Sequence, residues 1–221
     1  MKQYISLIVI ILAVLTGCSD DNPPQSPVYY DIVCLEADSA DGSVFSLTKP
    51  GSAEEITLVA PQRVNTDIVP VGNRLLLMYY IPEGGEAYKS GPVTVRGYGT
   101  IVNGALEESD GVPEGWDRDP VYLLSAWQSG HYLNIHARLP YDENPRRFTL
   151  AMPAGQTDSS CPDIYLVHAL AEDVTTFSRA YYASFDISAL VDDPAVTGFT
   201  LHLNNSNLRL DEIKFTIPAP R

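Results

Sequence analysis

Two pairs of neighbouring carboxylates come nearest to an acid–base catalytic pattern in this sequence. Asp117 and Asp119 form one pair, and Asp142 and Glu143 form the other. Two carboxyl groups that flank a glycosidic bond can act as general acid and as base or nucleophile. Both pairs stand beside prolines at the ends of predicted strands, where acidic residues commonly form turns. We therefore interpret them as turn residues and predict no catalytic residue.

The four histidines do not follow a metal-binding pattern. His131 and His136 are five positions apart on one predicted strand, so their side chains project to opposite faces. His168 stands among apolar residues and is predicted to be a hydrogen-bonded core residue, whereas His202 is predicted to face solvent. The sequence has no HExxH, no paired CxxC and no GxSxG motif. We therefore predict no metal, no cofactor and no enzymatic activity.

The clearest chemical signal is a cysteine near the amino terminus. Lys2 precedes an almost purely aliphatic run from Tyr4 to Leu15. This layout is typical of a secretory signal, whose apolar core has roughly 7–15 residues. The run is too short to cross a membrane comfortably, because a spanning helix needs about 20 apolar residues. The segment is therefore predicted to direct export.

The end of this run, Leu15-Thr16-Gly17-Cys18, resembles a bacterial lipobox. The small Thr16-Gly17 pair directly before a cysteine favours a lipoprotein over an ordinary secreted protein. The resemblance implies a signal peptide over residues 1–17, cleavage before Cys18, and fatty acyl chains such as palmitate on Cys18. Each buried methylene contributes about 0.8 kcal/mol to membrane binding, so several acyl chains give a stable anchor.

Residues 18–27 are predicted to be a flexible linker after the lipidated cysteine. Ser19-Asp20-Asp21 resembles the surface-export signal of lipoproteins in Bacteroidetes-type bacteria, and it equally fits a charged tether. Three prolines between Asn22 and Pro27 keep the chain extended. The predicted location is the cell envelope, at the outer membrane, on its periplasmic or its external face.

Two cysteines remain for the folded part. Cys34 and Cys161 could pair in an oxidising compartment, or they could be two separately buried thiols. They fall in different predicted domains, so a disulfide would join the two. Both interpretations are open from the sequence.

The strong negative charge limits the possible partners. The chain has a formal net charge of -14 at pH 7. Such a protein repels the phosphate backbone of nucleic acids, so nucleic-acid binding is not expected. It also repels anionic lipid, so membrane contact is expected only through the lipid anchor at Cys18.

Residues 28–106 are predicted to form a small barrel of the OB type. The pattern gives β-branched or alternating strands over 28–35, 43–48, 56–60, 74–81 and 92–102. Gly97 and Gly99 interrupt the last strand, and glycines of this kind permit the bend that barrel closure needs. Val95 and Tyr98 are predicted to point to opposite faces of that strand. Another five-stranded barrel fits the pattern equally well.

Residues 107–221 are predicted to form a β-sandwich, which makes the protein all-β. The acidic stretch from Glu107 to Gly115 is interpreted as the connection between the domains. Turn residues separate the strands, as in β-sandwiches. The seven predicted strands span residues 121–127, 131–139, 147–152, 163–170, 181–187, 197–203 and 211–217.

The order of these features resembles the NigD-like family of Bacteroidetes lipoproteins. In that family, an OB-like domain and a β-sandwich follow a lipobox, and a role in bacteriocin immunity has been inferred by association. The resemblance carries over no catalytic residue. It is carried by short motifs in both domains: Val71-Gly72-Asn73-Arg74-Leu75-Leu76-Leu77, Asp119-Pro120-Val121, Ser125-Ala126-Trp127, Tyr132-Leu133-Asn134-Ile135, His168-Ala169-Leu170 and Ala183-Ser184-Phe185-Asp186-Ile187.

Three functional hypotheses follow from the sequence. The first is a lipid-anchored envelope protein that binds a protein or peptide, with immunity against a cationic antibacterial peptide as the family-derived version. The second is an accessory glycan binder that uses Trp116, Trp127 and tyrosines from the doublets Tyr29-Tyr30, Tyr79-Tyr80 and Tyr181-Tyr182. Adjacent strand residues point opposite ways, so at most one tyrosine of each doublet can face a ligand. The third, disfavoured hypothesis is an envelope hydrolase.

Overall fold

The computed structural model describes residues 27–52, 54–141, 146–156, 159–170, 177–207 and 210–217. The predicted signal peptide, Cys18, most of the linker, Asp142 and Glu143 lie outside the described residues. Strands dominate the rest, so the prediction of an all-β protein is confirmed. The strands of the first part are β1 (Val28–Ser39), β2 (Gly42–Thr48), β3 (Glu55–Ala60), β4 (Arg74–Tyr80), β5 (Gly91–Pro92) and β6 (Thr94–Thr100).

The second part contributes a further set of strands and one helical turn. None of the described residues forms a helix with the length and apolar character to cross a bilayer. The elements are β7 (Val102–Ser109), β8 (Tyr122–Ser129), β9 (Tyr132–Pro140), β10 (Arg147–Pro153), β11 (Asp163–Ala169), β12 (Ser178–Asp186), α1 (Ser188–Val191), β13 (Gly198–His202) and β14 (Glu212–Thr216).

The first sheet closes on itself as a small barrel. Its strand order is β5-β3-β2-β1-β4-β6. β5 and β6 are parts of one extended segment separated only by Val93, and they pair with β3 and β4 at the two ends of the sheet. This single segment therefore joins both edges, and the five resulting strands form the predicted OB-like barrel.

A bulge in β6 changes which residues enter the core of the first barrel. Met78 pairs with Gly97 and Tyr79 pairs with Val95, so Arg96 is the extra residue. The bulge reverses the alternation, and Val95 and Tyr98 both pack against the first core. The prediction that they face opposite ways is wrong for this reason.

The second part of the chain forms one eight-stranded sheet that nearly closes. Its strand order is β14-β13-β11-β10-β7-β12-β9-β8. Val121, just before β8, forms a bridge with Asn205, between β13 and β14. The two walls expected of a β-sandwich are therefore opposite sides of one curved sheet, which we call the second barrel.

β7 is the main departure from the sequence interpretation. It lies between β10 and β12 and runs parallel to both. Glu107 to Ser109, interpreted as part of the connection between domains, therefore belongs to a central strand of the second barrel. Val102 and Leu106 pack against the second core, which gives this acidic segment its apolar side.

Alternating apolar residues build the core of the second barrel. On β9, the side chains of Leu133, Ile135, Ala137 and Leu139 are buried, as the period of two predicts. They pack with Phe185 and Phe199 from β12 and β13 in one cluster. The opposite face of β9 carries Tyr132, Asn134 and His136. Tyr132 contacts Arg74 of the first barrel, Asn134 is buried, and His136 stacks on Tyr182.

Candidate ligand-binding cleft between the two barrels

Two neighbouring cavities lie between the barrels. Their volumes are about 260 Å³ and about 570 Å³. Thr48, Pro50 and Trp127 line both of them, so the cavities adjoin at these residues. We call the pair the interdomain cleft.

One close contact between the barrels divides the cleft. The hydroxyl of Ser129, at the end of β8, donates a hydrogen bond to the carbonyl oxygen of Thr48, at the end of β2. Gly130 follows with a φ of +57°, and a Cβ atom there would lie 2.8 Å from the Oγ1 atom of Thr48. Glycine at this position therefore permits both the tight β8–β9 turn and the close approach of the β2 end to this turn.

Aromatic side chains form much of the apolar surface of the cleft. Tyr30 is 59% exposed and lines the smaller cavity with Trp127 and Tyr182. The ring of Tyr182 stacks on His136 at a centroid distance of 4.0 Å, which fixes its orientation. Phe215, stacked on Phe199 at 4.8 Å, lines the larger cavity. These rings offer surfaces on which apolar or planar groups can stack.

The charged groups on the rim of the larger cavity are acidic. Glu55 and Asp192 line this cavity, and no lysine or arginine is among its described lining residues. His131 also lines it and contacts Asp192 with an Nε2 to Oδ1 distance of 2.9 Å. Lys49 directly follows Thr48, but its ammonium group lies over the ring of Tyr88. The rim therefore presents carboxylates to a ligand.

Of the two predicted carboxylate pairs, the structure describes Asp117 and Asp119, and both have structural roles. Asp119 accepts hydrogen bonds from Arg118 at 2.9 Å and from the backbone N–H of Leu170 at 2.9 Å. These bonds lower the pKa of Asp119 against the opposing effect of burial. A carboxyl group held ionised in this way is poorly suited to act as a general acid. The backbone carbonyl of Asp117 accepts a bond from Asn204 at 2.6 Å.

His168 is a buried, hydrogen-bonded residue, as the sequence predicts. It is 1% exposed, and its Nδ1 lies 3.1 Å from the carbonyl oxygen of Asp119. Its Nε2 lies 3.3 Å from Arg146. Burial lowers the pKa of His168, so the neutral ring is favoured. The side chain fixes the Asp119 turn to β11.

His202 is more enclosed than the sequence predicts. Its ring stacks on Tyr165 at 4.7 Å, and Trp116 packs edge-on against both rings. Its Nε2 lies 2.8 Å from Asp163. Trp116, proposed from the sequence as a sugar-stacking residue, is thus engaged with this cluster. No group of three or more histidine, cysteine or acidic side chains in the described residues is arranged to hold a metal ion.

The two remaining cysteines do not pair with each other. Both thiols are free, with Cys34 buried in the first barrel and Cys161 exposed on the second. The disulfide alternative is therefore wrong, and so is the alternative of two buried thiols. Burial raises the pKa of the Cys34 thiol to about 12, with a further contribution from Glu36.

The tyrosine doublets divide as the alternation predicts. Tyr79 is buried, and its hydroxyl donates to Asp31 at 2.9 Å, whereas Tyr80 contacts Arg96 on the outside. Tyr181 packs against the second core, and Tyr182 lines the cleft. Only one member of each of these doublets is available to a ligand.

The residues of the cleft come from distant parts of the chain. Trp127, Tyr30 and Tyr182 are candidate binding residues from the sequence, whereas no sequence pattern indicates Thr48, Pro50 and Phe215. They belong to β2, its following turn and β14, and no local pattern brings these segments together. Two kinds of signal pointed to this region: a tryptophan just before a tight hairpin turn, and the tyrosine doublets that supply Tyr30 and Tyr182.

Fold and cleft together define a class: an all-β protein of two barrels with an acidic, aromatic cleft between them. Solved structures share this fold. A protein of unknown function, DUF1344, from Bacteroides vulgatus superposes with a TM-score of 0.67 at 15% identity, over 88% of this chain and 92% of that one. A candidate lipoprotein from Bacteroides fragilis gives 0.58 at 10% identity, over 88% and 100%.

A NigD-like immunity protein from Bacteroides caccae has the same fold as well. Its TM-score is 0.53 at 14% identity, over 89% of this chain and 99% of that one. The fold implied by the sequence resemblance is therefore confirmed. No protein-family model and no curated protein sequence matches the chain.

Proposed function

We propose that this chain is a lipid-anchored protein of the bacterial cell envelope that binds a basic peptide or protein segment in the interdomain cleft and catalyses no reaction. The lipobox-like segment ending at Cys18 supports the anchor. Among proteins of this fold, one is described as a candidate lipoprotein and another as a NigD-like immunity protein. Immunity against a cationic antibacterial peptide is one form that such binding takes.

The composition of the cleft carries this proposal. Glu55 and Asp192 stand at the rim, and Trp127 and Phe215 provide apolar surface beside them. The whole chain has a formal net charge of -14, which adds long-range attraction for a cation. A ligand with alternating basic and apolar side chains would satisfy both features.

A non-catalytic role fits the described titratable groups. Asp119 and His168 stabilise a turn, and His202 is held between Tyr165 and Asp163. Catalytic acids and bases need free access to a substrate. In the described part of the chain, these groups are used for internal contacts.

The binding claim is tested by calorimetry on the full chain in detergent. The probes are a short alternating Lys-Val peptide and its Glu-Val counterpart, each at low and high ionic strength. We expect binding of the Lys-Val peptide only, weakening as salt rises. Binding of both peptides, or binding of the basic peptide that is insensitive to salt, would contradict the proposal.

The anchor is tested separately in cells. Radioactive palmitate should label the wild-type protein, and the Cys18→Ser variant should carry no label. Equal label on both proteins, or none on the wild type, would remove the anchoring part of the proposal and leave the binding part standing.

Glycan binding is the second candidate function, and the smaller cavity favours it. Tyr30, Trp127 and Tyr182 line this cavity, and sugars commonly stack on aromatic side chains. A glycan array with the full chain would give a hit that is insensitive to salt and is lost in Trp127→Ala. A folded sample without any hit would rule this candidate out.

A further inference from the structure

The seam of the second barrel is closed at one end and open at the other. β8 and β14 are the outermost strands of its sheet. At the closed end, the backbone N–H of Val121 donates to Asn204 at 2.8 Å, and that of Ser206 donates to Val121 at 2.9 Å. The side chain of Asn207 donates to the Leu123 carbonyl at 2.7 Å. Backbone bonds at Val121 and the side chains of Asn205 and Asn207 at Leu123 thus replace the missing strand pairing as far as Leu123.

The two strands no longer pair beyond this point. Ala126, Trp127 and Gln128 of β8 line the larger cavity on one side, and Phe215 and Thr216 of β14 line it on the other with Ile217, which directly follows that strand. Across the described residues, no backbone hydrogen bond joins these two stretches. The wider part of the interdomain cleft is therefore the gap between two unpaired strand edges.

An unpaired edge has hydrogen-bonding groups to satisfy. In an antiparallel pair, alternate residues turn their N–H and C=O groups away from the partner strand. β8 pairs with β9 on one side only, so alternate residues of Ser125–Gln128 direct these groups toward the gap. Exposed strand edges accept further strands readily.

We propose that the cleft binds its ligand by strand addition: an extended segment of a basic partner pairs with the free edge of β8 and fills the seam. This inference rests on the function proposed above and specifies how the partner is held. Backbone hydrogen bonds to β8 supply affinity, and the side chains of the added strand alternate between the two faces of the sheet.

The side chains around the seam fit such a segment. Ala126 and Phe215 are partly buried and pack against the second core, so apolar side chains of the ligand extend that core. Glu55 and Asp192 at the rim receive its basic side chains. A segment that alternates basic and apolar residues satisfies both faces at once.

The test uses three peptides of equal charge on the full chain in detergent. The first is the alternating Lys-Val peptide, and the second is the same peptide N-methylated at alternate residues, so that one edge loses its N–H donors. Two or three lost hydrogen bonds should weaken binding by about ten-fold or more. The third peptide is methylated at the other set of alternate residues. It should bind nearly as well as the parent, because its methyl groups lie on the edge that faces away from β8.

Each result separates this inference from the proposed function. Equal binding of all three peptides would overturn strand addition and leave salt-sensitive cleft binding in place. Absence of binding by the parent peptide would overturn both.

Variants of β8 give an independent readout. Gln128→Arg places a cation at the edge that lines the cleft, and Leu124→Arg places the same charge on the same strand outside the cleft lining. We expect Gln128→Arg to weaken binding of the parent peptide and Leu124→Arg to have little effect. Equal effects would overturn the inference. A different result is that the wild type binds no peptide and that Gln128→Arg loses self-association. This result would assign the edge to a second copy of this chain and would also overturn the inference.

Discussion

The guanidinium of Arg74 in the first barrel stacks on the ring of Tyr132 in the second, with its central carbon 3.9 Å from the ring centroid. Arg74 is 5% exposed and donates from Nη2 to the carbonyl of Ile32 at 3.2 Å. Its Nε has no hydrogen-bond partner among the described residues. Burial lowers the pKa of Arg74. The Tyr132 ring is thus a main compensation for a buried charge, and it joins the barrels.

Removing the ring should cost more than removing the charge. Tyr132→Leu leaves the guanidinium buried without its cation–π partner, and we expect a loss of about 2–4 kcal/mol in the free energy of unfolding. Arg74→Met keeps the apolar stem and removes the charge, so its cost should stay near 1 kcal/mol. Urea unfolding of both variants measures the difference. A larger loss for Arg74→Met would contradict this view of the contact.

Gly104 on β7 should not tolerate a side chain. A Cβ atom at this position would lie 2.7 Å from the Phe185 ring, which is almost fully buried on the neighbouring strand β12. Gly104→Ala is therefore expected to lower the free energy of unfolding by about 1–3 kcal/mol through overpacking. Gly99→Ala on β6 is the matched control, because nothing lies within 4 Å of the added atom. Equal stability of the two variants would show that Phe185 moves aside at no cost.

The stability of the first barrel should respond to the ionisation of Asp31. Burial raises the pKa of Asp31 above its ordinary value of 3.8, and the hydrogen bond from Tyr79 offsets part of the increase. Because folding favours the neutral carboxyl group, its contribution is present below the unfolded pKa and is lost as pH rises through the folded pKa. Asp31→Asn should therefore be more stable than wild type at neutral pH, by a margin that disappears below pH 3.8. Chemical unfolding across this pH range measures the margin, and a constant margin would contradict the explanation.

The two thiols should react at very different rates. Cys161 is exposed, whereas Cys34 is buried and has a pKa raised to about 12. Since the thiolate is the reactive form, iodoacetamide should modify Cys161 in the folded protein and Cys34 only after denaturation. Mass spectrometry of the Cys18→Ser protein under non-reducing conditions distinguishes the sites. Modification of neither site in the folded state, with both reacting only after reduction, would indicate the disulfide that the structure lacks.

Local patterns predicted most of the strands of this protein. The alternation on β9, with Leu133, Ile135, Ala137 and Leu139 on one face, was sufficient to predict its buried side. Pairing between distant segments was not predictable in the same way. The acidic residues Glu107 and Glu108 favour a connection when only composition is considered. Val102 and Leu106 on the same strand gain their core contacts from strands much later in the chain.

The cleft was not predictable for the same physical reason. Thr48, Trp127 and Phe215 are separated by long stretches of sequence and meet only after both barrels have formed. The bulge at Arg96 similarly depends on how β6 closes the first barrel, which periodicity does not encode. The residues that could be predicted are those whose environment is set by their immediate neighbours on a strand.

The most direct measurement of the central claim is the affinity of the alternating Lys-Val peptide for two charge-matched double variants. Glu55→Gln/Asp192→Asn removes the carboxylates at the cleft rim, and Glu108→Gln/Asp110→Asn removes the same charge outside the lining of the cleft. At low ionic strength, the first variant should bind roughly five-fold more weakly than the wild type, since each of the two lost ion pairs contributes about 0.5 kcal/mol. The second variant should bind nearly as well as the wild type. Equal weakening in both variants would mean that only net charge attracts the peptide, and it would contradict the assignment of the cleft as the binding site.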